Sequence, residues 1–222
     1  MLRIGSLVLA ALVLVVGAAA FAQDTPARIR LTHVVSDATP ATLLVDGFAV
    51  MESPVATAGD GYVDVAPGTP TIAVEVDGVR ALAEPRELRS GFRYLAVVHE
   101  TADGSLAVLI VPGPTSRPTG GALARVVNVV ESIDRVQVFG GPTCDGIYRF
   151  QSGAVGTVAP WYFWEDGHHG DSVITVCSEG RPLAPTLQRP DDGPWPIRGH
   201  AVAIYVVPSS TGPQVLFVEE WP

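Results

Sequence analysis

The chain has 222 residues, 14 basic and 23 acidic side chains, and a formal net charge of −9 at pH 7. All of the basic side chains are arginine, and none forms the dense cluster on which nucleic-acid affinity rests, so a nucleic-acid partner is not expected. The length allows one domain, or two of about 100 residues each.

The first residues read as a secretory signal peptide. Arg3 and the amine of Met1 give a positive start, Leu7 to Val16 is an apolar run, and Ala20-Phe21-Ala22 is an A-x-A site ahead of Gln23. Cleavage after Ala22 is expected, making 1–22 the signal; an uncleaved anchor is the alternative, although the run is shorter than the roughly 20 apolar residues a span needs. No cysteine near the site offers a lipid anchor, and no later stretch is apolar enough to span a bilayer. The expectation is an exported protein, in the periplasm, on the cell surface or released, with no integral membrane segment after cleavage.

Beyond the signal, helical periodicity is nearly absent, while period-two and short apolar runs recur. Arg28 to Val35 places Ile29, Leu31, His33 and Val35 on one face. Further strands are expected at 42–45, 61–65, 71–76, 92–99 and 105–111. Between them lie Asp46-Gly47, Gly59-Asp60-Gly61, Pro67-Gly68, Asp77-Gly78 and Asp103-Gly104, each a turn signal. Many short strands at this spacing predict a sandwich or a barrel.

Pro112 to Gly121 is rich in proline and glycine and reads as a linker, after which the pattern starts again. Arg125 to Val130 echoes Arg30 to Val35 at an offset of 95, and Val173 to Gly180 echoes Thr71 to Gly78 at 102. Gly199 to Val206 echoes Gly91 to Val98 at 108, and Gln214 to Glu219 is set against Leu106 to Val111 at the same offset. Matches in one order predict a duplication. The expected organisation is repeat 1 at 27–112, a linker at 113–122 and repeat 2 at 123–222. The growing offset places insertions in repeat 2, near Gly140 to Gly153 and at Arg181 to Pro196.

Cys144 and Cys177 are an even count in an exported chain, which predicts a disulfide closing a loop of about 33 residues. Two metal thiolates are the alternative, but no C-x-x-C spacing supports them.

Thr32-His-Val-Val-Ser-Asp-Ala-Thr-Pro40 followed by Leu43-Leu-Val-Asp-Gly47 resembles the opening of the repeats of bacterial domain-of-unknown-function family 4397. His33, Asp37, Ala38, Val45, Asp46 and Gly47 coincide with the family pattern. Val65 to Ile72 and Gly91 to Tyr94 are similar to its later strands. Repeat 2 fits more loosely, with Asn128 where His33 stands. The resemblance implies an all-β chain of two tandem Ig-like sandwiches, and it implies no activity.

Candidate sites follow from side-chain chemistry. His33 and Asp37 are expected to brace the first strand and its turn, and Asp46-Gly47 to form the hairpin of the motif. His99-Glu100 begins like a zinc-protease motif but lacks the second histidine. In the aromatic strand of repeat 2, Trp161 and Phe163 face one way and Tyr162 and Trp164 the other. One of these pairs must leave the core. With Trp195, the residues Trp161, Tyr162 and Trp164 form a candidate platform for sugar rings or another exported protein. Packing of these aromatics against the repeat-2 insertions or against the other domain is the competing expectation. Asp166, His168, His169 and Asp171 in the glycine-rich turn are candidate metal ligands, or simply a polar hairpin tip. No nucleophile elbow, phosphate loop or dinucleotide motif is present, so no cofactor is expected. Three function classes stand in order: a non-catalytic envelope or secreted module, a carbohydrate- or polymer-binding protein, and a metal-dependent enzyme at the His168-His169 turn.

Overall fold

The computed structural model describes residues 25–35, 40–53, 61–152, 159–165, 173–184, 187–188, 199–209 and 212–221. Every regular element among them is a strand. The first eight are β1 (Ala27–His33), β2 (Ala41–Val45), β3 (Phe48–Ser53), β4 (Val63–Val65), β5 (Ile72–Val76), β6 (Val79–Leu82), β7 (Arg93–Glu100) and β8 (Leu106–Pro112). The others are β9 (Gly121–Asn128), β10 (Gln137–Gly140), β11 (Ile147–Gln151), β12 (Tyr162–Glu165), β13 (Val173–Ser178), β14 (Arg181–Pro182), β15 (Leu187–Gln188), β16 (Ala201–Val207) and β17 (Gln214–Trp221). The described residues are all-β, and residues 1–22, expected to be a signal peptide, lie outside them.

Local chemistry sets the hairpins. Asp46-Gly47 between β2 and β3 takes φ of 51° and 84°, and Asp77-Gly78 between β5 and β6 takes 51° and 77°. Two successive left-handed residues match the twist of the strands they join, and Asp-Gly tolerates that conformation where bulkier residues do not. Glu179-Gly180 makes the same turn between β13 and β14, with φ of 50° and 75°.

Four sheets result. Their orders are β4-β1-β7-β8, β3-β2-β5-β6, β12-β9-β16-β17 and β11-β10-β13-β14, with β15 also pairing with β13. The first two orders are reproduced, strand for strand, by the last two. Parallel pairing of β1 with β7 sets Arg30 beside Leu95, and parallel pairing of β9 with β16 sets Arg125 beside Ala203. Thr42 lies opposite Glu75 and Gln137 opposite Cys177 in the corresponding antiparallel pairs.

The last strand differs from its expected alignment. Tyr94 pairs with Pro112 and Val202 with Glu219, so Ala107–Pro112 correspond to Gln214–Glu219, one residue away from the match read in the sequence. The run from Leu106 is apolar on both faces, so period two does not distinguish one register from the next.

Packing then orders the sheets into four layers. Ile29, Leu31, Ala96 and Val98 meet Leu43, Ile72 and Val74 in the core of the first half. Val126, Ile204 and Val206 meet Val138, Ile174 and Val176 in the core of the second. A third apolar cluster lies between the halves and joins Val34, Leu95, Val97 and Val111 to Val127, Val129, Ala203, Tyr205, Val207 and Val218. The two parallel-strand sheets are therefore covered on both faces, which accounts for the unbroken apolar run Leu95–Val98 in β7. The segment between β8 and β9 is laid against the body. Gly113, Pro114 and Pro118 are buried, and the Gly113 N–H donates to the Arg93 carbonyl at 2.8 Å.

Candidate functional site

Antiparallel pairing of β12 with β9 sets Tyr162 opposite Ala124 and Phe163 opposite Leu123, which continues as Trp161 opposite Arg125. Tyr162 packs on the core of the second half. Trp161 points to the other face, where the Arg125 guanidinium carbon sits 4.3 Å from its ring centre. Phe163, two residues on, is half exposed. Tyr148 of the edge strand β11 is exposed to a similar degree, and its ring meets Phe139 edge-on at 5.8 Å. The backbone of Trp164 is in β12; its side chain, together with Trp195, Asp166, His168, His169 and Asp171, lies outside the described residues. Among the described residues no group of three or more His, Cys, Asp or Glu side chains is placed to hold a metal ion.

The motif residues sit where the first half turns. His33 ends β1 fully buried, in the same row as Ile29 and Leu31. Asn128 holds the equivalent place at the end of β9; its side-chain N–H donates to the Ile133 carbonyl at 2.6 Å, and its carbonyl accepts from the Val130 N–H at 3.1 Å. That amide braces the strand exit from both ends. Asp37 lies outside the described residues. Asp46 is tied to Thr71: its carboxylate accepts the Thr71 N–H at 2.8 Å, and its own N–H donates to the Thr71 carbonyl at 2.8 Å. The disulfide joins Cys144 to Cys177 with Cα atoms 6.0 Å apart, tying the loop after β10 to the buried strand β13.

Two features were not legible in the sequence. The first is a cluster around Tyr62, whose ring has the Arg30 guanidinium at 5.1 Å and that of Arg93 at 5.2 Å. Partial burial holds the Arg93 guanidinium below its ordinary value, because desolvation disfavours the charged form. The second is a cleft of about 340 Å³ lined by Arg86, Glu87, Arg89, Phe92, Tyr94 and Pro112. Its cations are already engaged. Arg86 donates to the Ile110 carbonyl at 2.8 Å, and Arg89 lies 3.6 Å from the Glu87 carboxylate. In the sequence these arginines and aromatics carry no pattern that sets them apart from solvated surface residues.

His99, on the face of β7 that carries Leu95 and Val97, is nearly buried, and its Nδ1–H donates to the Glu100 carbonyl at 3.2 Å. Desolvation pushes this imidazole below its usual range, the carbonyl opposing it in part.

A comparison with curated proteins finds no match. The model of a family described as a domain of unknown function, DUF4397, matches residues 27–139, from the first residue of β1 to within β10. The match takes in His33, the Asp46-Gly47 hairpin and both parallel-strand pairs' first members, β1 and β9. The chain belongs to the DUF4397 family.

Proposed function

We propose that this protein is an exported, non-catalytic module of two tandem Ig-like β domains, with a structural or binding role in the cell envelope or outside the cell. The observation that carries this reading is the use made of its buried polar groups. Arg30 and Arg125 lie on aromatic rings, Asn128 braces a strand exit, and the buried Thr175 hydroxyl donates to the Gly141 carbonyl at 2.7 Å. The Ser152 hydroxyl accepts the Val136 N–H at 3.0 Å while its own N–H returns a bond to Val136. Each of these groups supports backbone or packing. The leader at 1–22 and the pair of cysteines, joined as a disulfide, favour an oxidising compartment. N-terminal sequencing of the protein recovered outside the cytoplasm tests the reading. Gln23 as the first residue is expected; an intact Met1 in a cytoplasmic fraction refutes export.

A second reading is polymer binding through aromatics of repeat 2. The half-exposed rings of Tyr148 and Phe163, on the outer strands of two sheets, favour it. Tyr148→Ala and Phe163→Ala should then weaken retention on cell-wall polysaccharide with unchanged melting. Tyr162→Ala would instead report on the core that Tyr162 helps to fill. Unchanged retention by all the surface variants removes this reading.

A further inference from the structure

The cluster between the halves has a regularity that packing alone does not require. By strand register, Val34 corresponds to Val129, Leu95 to Ala203, Val97 to Tyr205 and Val111 to Val218, and all eight residues lie in that one cluster. Leu109 and Leu216, another corresponding pair, pack against its edge. The remaining members also have counterparts, Val127 in the buried Thr32 and Val207 in the nearly buried His99. Each half thus uses the same face of the same sheet.

The polar contacts repeat as well. Arg30 and Arg125 correspond, as do Tyr62 and Trp161, each ring lying beside its arginine across the paired edge strand. Arg30 of the first half donates to the Glu219 carbonyl of the second at 3.3 Å. Arg125 of the second half donates to the Pro112 carbonyl of the first at 2.6 Å. Glu219 and Pro112 are themselves corresponding residues, opposite Val202 and Tyr94. Residue i of one half meets j of the other, and the counterpart of i meets the counterpart of j. That reciprocity defines an isologous, two-fold interface.

We infer that the outer face of the parallel-strand sheet is a docking surface for a second copy of the same domain, and that this chain carries both partners covalently joined, as a fused homodimer. This rests on reading the chain as two copies and is independent of where the protein is exported or what it binds. The segment 113–120 then tethers an interface able to hold without it.

A protease site placed in 113–120 of the full chain tests the inference. After cleavage the halves should stay together through size-exclusion chromatography. Arg30→Met and Arg125→Met, each retaining an apolar stem over the ring, should raise the concentration at which the cleaved halves part by about 10–100-fold, since each removes one charge-assisted bond. The two effects should agree within about tenfold, because a two-fold interface places both arginines at corresponding points of the seam. Leu109→Gln and Leu216→Gln, at the cluster edge, give the same comparison if either arginine variant fails to fold. Halves that separate on cleavage while each keeps its β-sheet circular dichroism overturn the inference, as does an edge or arginine pair whose members differ by more than about tenfold.

Discussion

Arg125 lies over Trp161 as Arg30 lies over Tyr62, at 4.3 Å and 5.1 Å from the ring centres, although nearly a hundred residues separate the two arginines. A guanidinium is weakly hydrated and planar, so it can be buried where one face meets a ring and an edge donor meets a carbonyl. Arg125 is 1 % exposed and meets both conditions. Its replacement by methionine keeps the stem but loses the bond to Pro112 and the cation–π contact. The expected loss is about 2–4 kcal/mol, read from the urea midpoint of the intact chain. An effect inside 0.5 kcal/mol would mean that the guanidinium contributes no net stability, as some buried charges do.

Stability should fall as the pH drops below neutrality, and His99 should be a cause. Burial lowers the imidazole's affinity for a proton in the folded protein. The unfolded chain therefore takes up a proton first, as the pH falls through about 6.5, and stability declines from there until the folded-state value is reached. The corresponding residue in the second half is Val207, in the inter-half cluster. His99→Val should flatten the melting-temperature profile between pH 7 and 5. A profile of unchanged slope would assign the acid sensitivity to other groups.

Reduction of the Cys144–Cys177 disulfide should destabilise the second half selectively. The loop it closes spans 33 residues of sequence separation. Chain-entropy arithmetic puts the loss at about 3–4 kcal/mol, less any native strain. Hydrogen exchange should accelerate first in β10 and β13, with β2 and β5 protected for longer. Uniform acceleration in both halves would instead show that they unfold as one cooperative unit.

The Asp46 hairpin is a test of local chemistry. Asp46 holds φ of 51° and bonds Thr71 through both its carboxylate and its N–H. Asp46→Ala removes the carboxylate bond and puts a residue poorly suited to the left-handed region at that turn, costing about 1–3 kcal/mol. Asp46→Asn, which tolerates the same φ and keeps a carbonyl oxygen for the Thr71 N–H, should recover most of the loss in thermal melts.

Leu95 and Ala203 occupy corresponding places in the inter-half cluster. Leu95→Ala alone should cost about 2–5 kcal/mol by opening a cavity, and Ala203→Leu alone about 1–3 kcal/mol by overpacking. Together they exchange volume within one layer, so their combined cost should fall below the sum of the singles. Strict additivity in denaturant melts would show that the two sites do not share a space.

The sequence by itself determined the class of structure and much of its local detail. Alternation from Arg28 to Val35 set Ile29 and Leu31 inward, Asp-Gly pairs marked the hairpins, and the two cysteines pointed to one disulfide. These signals are local, because period two and left-handed turn residues act within a few positions of themselves. Family membership was legible for the same reason, through the His33 and Asp46-Gly47 motif. Only the tertiary structure decided what covers the outer face of β7, where Leu95 and Val97 meet the other half. It also decided the register of β17 and the placing of Trp161 beneath Arg125 at the seam between the halves. A strand apolar on both faces carries no periodicity that names its second partner, and a buried arginine looks in sequence like any surface charge. Those choices rest on pairings between residues far apart in the chain, which become definite only when four sheets stack and both faces of the inner two leave water.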